Sequence, residues 1–218
     1  MKNIFDVIKR NPLWAGIEQS DFEIVTNCMD AKARSYDKDE IILLSGDRTD
    51  YIGLVLSGSV QVIKENADGN ITILAELAPP ELFGEVFACA GIERSPVTVQ
   101  ASDKCEVLSM NYRKVITLCP ASCSFHSRLV ENMLGIIARK TLMLNQKIEI
   151  LSQRTTRGKL LAFFDVQRGN AKKFTIPYNR EELAHYLCVD RSAMSTELCK
   201  LRDDRLIRFR KNEFELLT

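Results

Sequence analysis

The sequence predicts an α+β protein in which an antiparallel β domain, one long helix and a winged helix-turn-helix follow one another along the chain. Three observations carry this prediction. They are short apolar runs separated by turn residues between positions 36 and 110, an unbroken heptad pattern between 130 and 151, and two capped helices followed by a hairpin after 153. Alternation with a period of two is typical of strands, whereas spacings of three and four are typical of helices.

The N-terminal part is predicted to be helical over residues 1 to about 30 and then to form short strands. Ile41–Leu44 ends at a Ser-Gly-Asp turn, Ile52–Leu56 ends at a Ser-Gly turn, and Asp68-Gly69 is a hairpin signal. Several closely spaced strands with glycine-centred turns favour an antiparallel barrel or sandwich over a βαβ unit.

A single apolar stripe runs along the helix predicted after Pro120, with intervals of 4, 3, 4, 3, 4 and 3 residues. This spacing predicts parallel pairing of helices from two copies of the chain, although three heptads also fit a core helix packed on its own domain. A second stripe is expected to rest on the β domain; its members are Leu129, Ile136, Met143 and Ile150. The predicted dimer stripe consists of Val130, Leu134, Ile137, Thr141, Leu144, Ile148 and Leu151.

The C-terminal part carries the start signals of two helices. Asn179–Glu182 is a capping box, in which the Asn side chain accepts from the third helical amide and the Glu reaches back. Asp190 is an N-cap for the second helix. Two short strands, Leu206–Phe209 and Phe214–Leu216, form a hairpin after it. Helix, tight turn, helix and hairpin together predict a winged helix-turn-helix.

A second helix of this kind lies in the major groove with its N-terminal side chains at base edges. The guanidinium of Arg191 matches the O6 and N7 acceptors of guanine, and hydroxyl donors suit phosphates or undemanding base contacts. The alternative for Arg210 or Lys211 taken alone is an ordinary solvated charged face. The predicted contacts on the second helix are Arg191, Ser192, Ser195 and Thr196. The predicted phosphate contacts are Arg180, Arg208, Arg210 and Lys211.

Charge is unevenly distributed along the chain. The whole sequence has 30 basic and 29 acidic residues, a formal net charge of +1. Residues 153–218 hold 14 basic and 9 acidic side chains, net +5, which leaves 16 and 20, net −4, for the first 152 residues. A basic C-terminal part predicts that this region binds a polyanion.

Composition and motifs argue against several other classes of protein. No apolar stretch approaches the ~20 residues that a membrane-spanning helix needs, and no signal-peptide core is present. Seven cysteines without a Cys-x-x-Cys motif predict reduced thiols in a cytoplasm. Phosphate-loop, His-Glu-x-x-His and Gly-x-Ser-x-Gly motifs do not occur, so we predict no enzyme, no catalytic residue, no metal site and no identified cofactor.

The order of these motifs resembles that of Crp/Fnr-family transcription regulators, from about residue 13 to residue 217. Leu56–Val60 and Phe83–Glu85 are similar to the recurring turns of the family's sensor domain, and Ile176–Ala184 with Val189–Ser195 is similar to its DNA-binding end. The resemblance implies a homodimer that binds a pseudo-palindromic operator on double-stranded DNA, responds to a small-molecule effector and contacts RNA polymerase. The implied domains are a jelly-roll (double-stranded β-helix) effector domain at 1–123, a dimerisation helix at 124–152 and a winged helix-turn-helix at 153–218.

The second helix departs from the family's commoner versions. It keeps the first arginine, Arg191, but has hydroxyl residues where other members have a glutamate and a second arginine. One strong guanine contact per half-site therefore remains, and we expect an operator that differs from both the catabolite-activator and the Fnr types.

The resemblance also suggests where an effector binds, and it argues against cAMP. Glu85 matches the family's ribose ligand, but Arg94 precedes Thr98 by four residues instead of three, so Ser95 takes the phosphate position. A one-residue slip on a strand reverses the direction of a side chain, and a phosphate without an arginine fork is poorly compensated. Thr141 lies one step from the positions that contact adenine in cAMP-binding members. We expect an unknown effector near these five residues.

Two other functions stay open at this point. Cys119 and Cys123 are close enough in sequence to form a redox switch, which would make the chain a thiol-based redox-sensing transcription regulator. The chain could instead be a cyclic-nucleotide-binding module without DNA affinity. Iron–sulfur and haem sensing are not predicted, because only Cys28 lies near the N-terminus and His126 and His185 are the only histidines. With histidines this distant, a Cys–His pair is expected only by chance.

Overall fold

The computed structural model describes residues 4–65, 71–117 and 124–217, which fold into two compact units, Met1–Ala138 and Arg139–Thr218. The helices are α1 (Ile4–Ile8), α2 (Phe22–Cys28), α3 (Glu85–Cys89), α4 (Tyr112–Ile116), α5 (Ser124–Leu151), α6 (Thr156–Arg168), α7 (Arg180–Leu187) and α8 (Arg191–Asp203). The strands are β1 (Lys32–Tyr36), β2 (Ile41–Leu43), β3 (Tyr51–Ser57), β4 (Val60–Glu65), β5 (Ile71–Leu77), β6 (Leu82–Phe83), β7 (Thr98–Ala101), β8 (Cys105–Asn111), β9 (Lys173–Thr175), β10 (Ile207–Arg210) and β11 (Glu213–Leu216).

The β domain consists of two four-stranded antiparallel sheets, with strand orders β1-β8-β3-β6 and β2-β7-β4-β5. This confirms the predicted antiparallel barrel or sandwich. β4 and β5 pair from Val60 opposite Leu77 to Glu65 opposite Ile71, as a hairpin requires. The predicted turn residues Asp68-Gly69 lie outside the described residues.

The strand β3 explains why one stretch of the β domain is apolar without alternation. All five residues from Ile52 to Leu56 are buried. Val55 belongs to a core cluster with Val60 and Val107, whereas Ile52 and Leu54 belong to the cluster that includes residues of α1, α2 and α5. Because β3 is covered on both faces, each of its large side chains contributes roughly 1.5–3 kcal/mol of burial.

The first thirty residues are less helical than predicted. Short helices α1 and α2 flank two single-turn 3₁₀ segments, Pro12–Trp14 and Gln19–Asp21. Pro12 stands at the start of the first segment, and Gly16 follows with a φ of +72°. A proline lacks the amide that a continuing helix needs, and the positive φ turns the backbone out of helical geometry.

The helix α5 contributes to the cores of both units. Leu129, Met133 and Ile136 are buried in the core of the β domain, whereas Ile150 is buried in the core of the C-terminal unit. Met143 is 68% exposed. The prediction that the whole second stripe rests on the β domain is therefore right for its first half and wrong for the rest, because Ile150 fills the core of the C-terminal unit and Met143 packs in neither.

The C-terminal unit joins α6, α7 and α8 to the three-stranded antiparallel sheet β10-β11-β9. Phe163 and Phe164 of α6 are fully buried at its centre. The predicted capping box is present, with both reciprocal hydrogen bonds between Asn179 and Glu182. Asp190 caps α8 by accepting from the Ala193 amide at 2.8 Å. These observations confirm the winged helix-turn-helix. The predicted domain boundaries after residues 123 and 152 stay predictions.

Candidate nucleic-acid interface and effector region

The helix α8 separates its side chains by polarity. Met194, Leu198 and Leu201 are buried against the rest of the unit, while Arg191 and Ser192 at its N-terminal end are exposed. This division follows the helical period, which places residues three and four apart on the same face. The start of α8 therefore offers its polar residues to a partner molecule.

The Arg191 guanidinium is exposed, and within the described part of the chain it makes no hydrogen bond or ion pair. Its five N–H donors are thus available in a fixed planar fork. Such a fork matches paired acceptors on a guanine edge or on a phosphate.

The three hydroxyl residues of α8 have local acceptors for their protons. Ser192 Oγ donates to Asp190 Oδ1 at 2.6 Å, Ser195 Oγ to the Arg191 carbonyl at 2.9 Å, and Thr196 Oγ1 to the Ser192 carbonyl at 3.0 Å. The Ser192 hydrogen bond, followed by that of the Ala193 amide, lowers the pKa of the Asp190 carboxyl below its usual value. Each hydroxyl would exchange its present bond before it donated to a phosphate.

Arg180 ties α7 to the wing rather than standing free at the surface. Its Nη2 donates to the Lys211 carbonyl at 3.0 Å, and its guanidinium lies 5.2 and 5.1 Å from the ring centres of Phe209 and Phe214. Burial lowers the pKa of this guanidinium from its ordinary value. The sequence predicted a phosphate contact for Arg180. It did not predict the stacking on Phe209 and Phe214, because only the fold brings these residues together.

The wing presents alternating charges on its strands. Arg208 lies opposite Glu215, Arg210 lies opposite Glu213, and both arginines are exposed. Lys211 is exposed at the turn between the strands. Cross-strand pairs of opposite charge attract each other, so these glutamates reduce the cationic potential that the wing offers to a phosphate backbone.

An ion-pair network that the sequence did not reveal holds α8 against α6. Arg157 lies 2.7 Å from a carboxylate oxygen of Asp204 and 3.5 Å from one of Glu197. The Asp204 hydrogen bond is the main cause that raises the pKa of Arg157. The partners are 40 and 47 residues apart, so no spacing rule pairs them. The network joins the start of α6 to α8 and to the residue that follows it.

Three of the predicted effector residues meet around one turn of the β domain. Arg94 Nη1 donates to the Gly46 carbonyl at 2.8 Å, and the Gly46 amide donates to the Ser95 carbonyl at 2.8 Å. Thr98 Oγ1 accepts from the Ser45 amide at 3.0 Å. Arg94, Ser95 and Thr98 therefore all form hydrogen bonds with the Ser45-Gly46 turn. Arg94 and Thr98 do so through their side chains, and Ser95 does so through its backbone carbonyl.

Burial separates these residues sharply. Ser95 is 3% exposed and its Oγ donates to the Val97 carbonyl at 2.6 Å, whereas Arg94 is exposed. The buried residue near Thr98 is therefore the neutral Ser95, whereas the positively charged Arg94 lies at the surface. Glu85 is 1% exposed at the first residue of α3. Thr141 is exposed on α5, in the second unit.

The predicted dimer stripe of α5 contains no buried residue. Leu134, Leu144 and Ile148 are 66%, 62% and 63% exposed, and Leu142 beside them is 61% exposed. The other members are Val130, Ile137 and Leu151, which are half-buried, and Thr141, which is exposed. Exposed apolar side chains clustered on one helix are typical of interaction surfaces.

Other site predictions concern metals, thiols and membranes. Cys119 and Cys123 lie outside the described residues. Among the described residues, no group of three or more His, Cys, Asp or Glu side chains is arranged to hold a metal ion. Across the same ranges, every helix is too short or too polar to cross a bilayer.

Comparison with known proteins gives matches at both ends of the chain. Residues 33–122 match the cyclic nucleotide-binding domain model, and residues 157–218 match the Crp-like helix-turn-helix domain model. The chain is 26% identical over 206 residues to the cyclic AMP receptor protein of Thermus thermophilus, covering 92% of this chain and 90% of that protein. It is 20% identical over 200 residues to the CRP-like cAMP-activated global transcriptional regulator of Mycobacterium tuberculosis, covering 88% and 86%.

The fold agrees with these matches. The crystal structure of the Thermus thermophilus catabolite activator protein superimposes with a TM-score of 0.55 at 22% identity, covering 94% of this chain and 93% of that one. The molecule is therefore a transcription regulator that combines a cyclic-nucleotide-binding-like domain with a DNA-binding helix-turn-helix. It belongs to the Crp/Fnr family, as its sequence motifs predicted.

Proposed function

We propose that the chain acts as a homodimer in the cytoplasm, where it binds a pseudo-palindromic operator through α8 and contacts RNA polymerase. A small molecule other than cAMP, bound in the β domain, would control operator affinity. The observation that carries the proposal is Arg191, whose exposed guanidinium has no partner among the described residues and stands at the N-terminal end of a capped helix. In this position it can enter the major groove and donate to guanine.

The exposed stripe of α5 supports dimerisation. Leu134, Leu144 and Ile148 are each more than 60% exposed, although apolar side chains of this size gain roughly 1.5–3 kcal/mol each when they are fully buried. Their heptad spacing lets two parallel helices cover one another along this stripe. A dimer would place two copies of α8 at half-sites one helical turn of DNA apart, about 34–36 Å.

The neutral hydroxyl of Ser95 supports an effector other than cAMP. The Thermus and Mycobacterium relatives are named for cAMP, but here the buried position beside Thr98 carries no cation and its hydroxyl is bonded to the Val97 carbonyl. A cyclic phosphate placed there would be buried without a charged donor, which is unfavourable.

Selection from a random duplex library tests operator binding. We expect enrichment of a two-fold symmetric sequence with a guanine in each half-site, and loss of that enrichment in Arg191→Ala. The matched control is Arg168→Ala, because Arg168 is an arginine of the same unit that pairs with Asp165 within α6 and is not a predicted DNA contact. Failure of the unaltered chain to enrich any symmetric sequence would refute the proposal.

Sedimentation velocity tests dimerisation in the same preparations. Leu144→Lys should shift the protein toward the mass of one chain, because it puts a charge into the stripe. Ile24→Lys is the control, since Ile24 is 57% exposed on α2 and outside the stripe. Equal behaviour of both variants would contradict pairing through α5.

Calorimetric titration with cAMP tests the effector proposal, and we expect no heat of binding. Native mass spectrometry of protein purified from its own source should then show a bound small molecule of another mass. Tight cAMP binding by the unaltered chain would overturn this part of the proposal and leave operator binding intact.

A further inference from the structure

A cysteine and a histidine that are 98 residues apart in sequence meet in the β domain. Cys28 Sγ lies 3.4 Å from Nε2 of His126, within hydrogen-bond distance for sulfur. Cys28 is the last residue of α2, and His126 lies in the first turn of α5. From the sequence, a Cys–His pair is expected only by chance, and the fold brings these two residues together.

The environment of His126 determines what its ring can do for the thiol. The residue is 1% exposed, and its ring packs on Phe125 with centroids 4.7 Å apart. Its Nδ1 is buried and has no hydrogen-bond partner in the described parts of the chain. Cys28 is half-buried, so a small molecule can reach it from solvent. The ring is therefore fixed with Nε2 toward the thiol, and no second side chain or carbonyl among the described residues holds its other nitrogen.

A thiol beside an imidazole has a neighbour that can take its proton. Nε2 of His126 lies within hydrogen-bond distance of Cys28 Sγ and can accept the proton that the thiol gives up. A thiolate, not a thiol, is the nucleophile in cysteine chemistry. Among the described residues, the thiols of the buried Cys105 and the exposed Cys188 have no imidazole within hydrogen-bond distance.

We propose that Cys28 is a site of oxidation by small hydroperoxides, activated by His126. The Cys28 proton moves to His126 Nε2, and the sulfur attacks one oxygen of the peroxide. A sulfur–oxygen bond forms while the oxygen–oxygen bond breaks. The leaving group, hydroxide from hydrogen peroxide or alkoxide from an organic hydroperoxide, takes the proton from His126 and departs as water or alcohol. Sulfur is oxidised by two electrons to a sulfenic acid and the peroxide is reduced by two, so the step balances.

This site is separate from the proposed effector residues and from the DNA contacts. It does not depend on dimerisation or on operator binding, so a failed oxidation experiment would leave the proposed function standing. Its place is nonetheless informative, because oxidation would alter the contact that joins α2 to the start of α5.

The first test uses the unaltered full-length chain. It is treated with hydrogen peroxide in the presence of dimedone, and the labelled fraction of each cysteine is followed by peptide mass spectrometry. We expect Cys28 to be labelled at least tenfold faster than Cys188, although Cys188 is the more exposed of the two. Labelling of Cys28 at or below the rate of Cys188 would overturn the proposal.

The second test removes the histidine. His126→Gln should slow the labelling of Cys28 at least tenfold. His185→Gln, which changes an exposed side chain of α7, should leave the labelling rate of Cys28 unchanged. Loss of folding acts in the opposite direction, since it exposes Cys28 and also makes the buried Cys105 reactive. An unchanged Cys28 rate in His126→Gln, with Cys105 still protected, would show that the hydrogen bond is structural only.

Discussion

Arg191 of the helix-turn-helix and two predicted effector residues of the β domain, Ser95 and Glu85, are placed in opposite ways. The guanidinium of Arg191 is exposed and has no partner among the described residues. In the β domain, Ser95 and Glu85 are 3% and 1% exposed, and the Ser95 hydroxyl is bonded to a backbone carbonyl. Arg191 is thus placed at the surface, whereas Ser95 and Glu85 are polar residues of the interior.

Under the proposed function, the difference follows from the two partners. A DNA duplex is large, so a convex helix can meet it with side chains that need no support from the core. A small effector would bind in a concave pocket, whose polar groups are desolvated and need hydrogen bonds even without a ligand. The proposal therefore predicts that mutations of Ser95 or Glu85 affect stability first, because both residues are buried.

Replacing Ser95 with arginine should give the largest effect. The substitution places a charge at a 3% exposed position, and an uncompensated buried charge costs about 3–5 kcal/mol. Thermal or urea unfolding of the β domain measures the loss. Ser95→Ala is the control and should cost about 1–2 kcal/mol, because it removes the two hydrogen bonds between the hydroxyl and the Val97 backbone. A Ser95→Arg variant as stable as the unaltered chain would show that this position is open to solvent.

Arg191→Ala should separate binding from stability in the other region. We expect a loss of about 1–3 kcal/mol of operator affinity per half-site, because one bidentate base contact disappears. The free energy of unfolding should change by less than about 0.5 kcal/mol, since the side chain is exposed. Fluorescence anisotropy on operator and random duplexes, with thermal unfolding alongside, measures both quantities. Equal loss of affinity on the two duplexes would mean that Arg191 contacts only phosphate.

Removing the cap of α7 should have an intermediate effect. Asn179→Ala breaks hydrogen bonds to the amides of Glu181 and Glu182 at 2.9 and 3.0 Å. Loss of such a cap costs roughly 0.5–2 kcal/mol. Urea unfolding followed by far-ultraviolet circular dichroism measures the free energy of unfolding. Asn170→Ala, at an exposed turn, is the control. No difference between the two variants would contradict a stabilising role for the cap.

Changes to the wing should give the smallest effects. Arg208→Ala should lower affinity for random duplex DNA and reduce the slope of log affinity against log salt by at most about 1, the value for one phosphate contact. Glu215→Gln, which removes the opposing carboxylate, should raise that affinity slightly. Salt titrations of binding measure both. A change in the same direction for both variants would rule out the charge-pair explanation.

The features predicted from sequence are those that depend on neighbours along the chain. The cap at Asn179 involves residues two and three positions away, and the heptad of α5 repeats within one helix. The stacking of Arg180 on Phe209 and Phe214 joins residues about thirty positions apart, and the contact between Cys28 and His126 spans 98. Pairings of this kind are created only when sheets and helices pack, so no local pattern records them.

The effector region shows a third case, in which the alignment relative to Thr98 was available from the sequence and the hydrogen bonding was not. Counting from Thr98 selects Ser95 rather than Arg94 for the family's phosphate position. The fold buries Ser95 and leaves Arg94 exposed, and both residues precede β7, which begins at Thr98. What the count did not supply is that Ser95 satisfies its own hydroxyl through Val97. That bond follows from the local turn geometry, which a residue pattern does not specify.

The burial of Ile150 in the C-terminal core has a practical consequence for dissecting the molecule. A fragment that started at residue 153 would have a cavity where this 1% exposed side chain packs. A fragment that started at residue 139 would include Ile150 and keep the core filled. Amide exchange should accordingly show the last turns of α5 opening together with the winged helix, as one cooperative block, and not with the sheets that precede it.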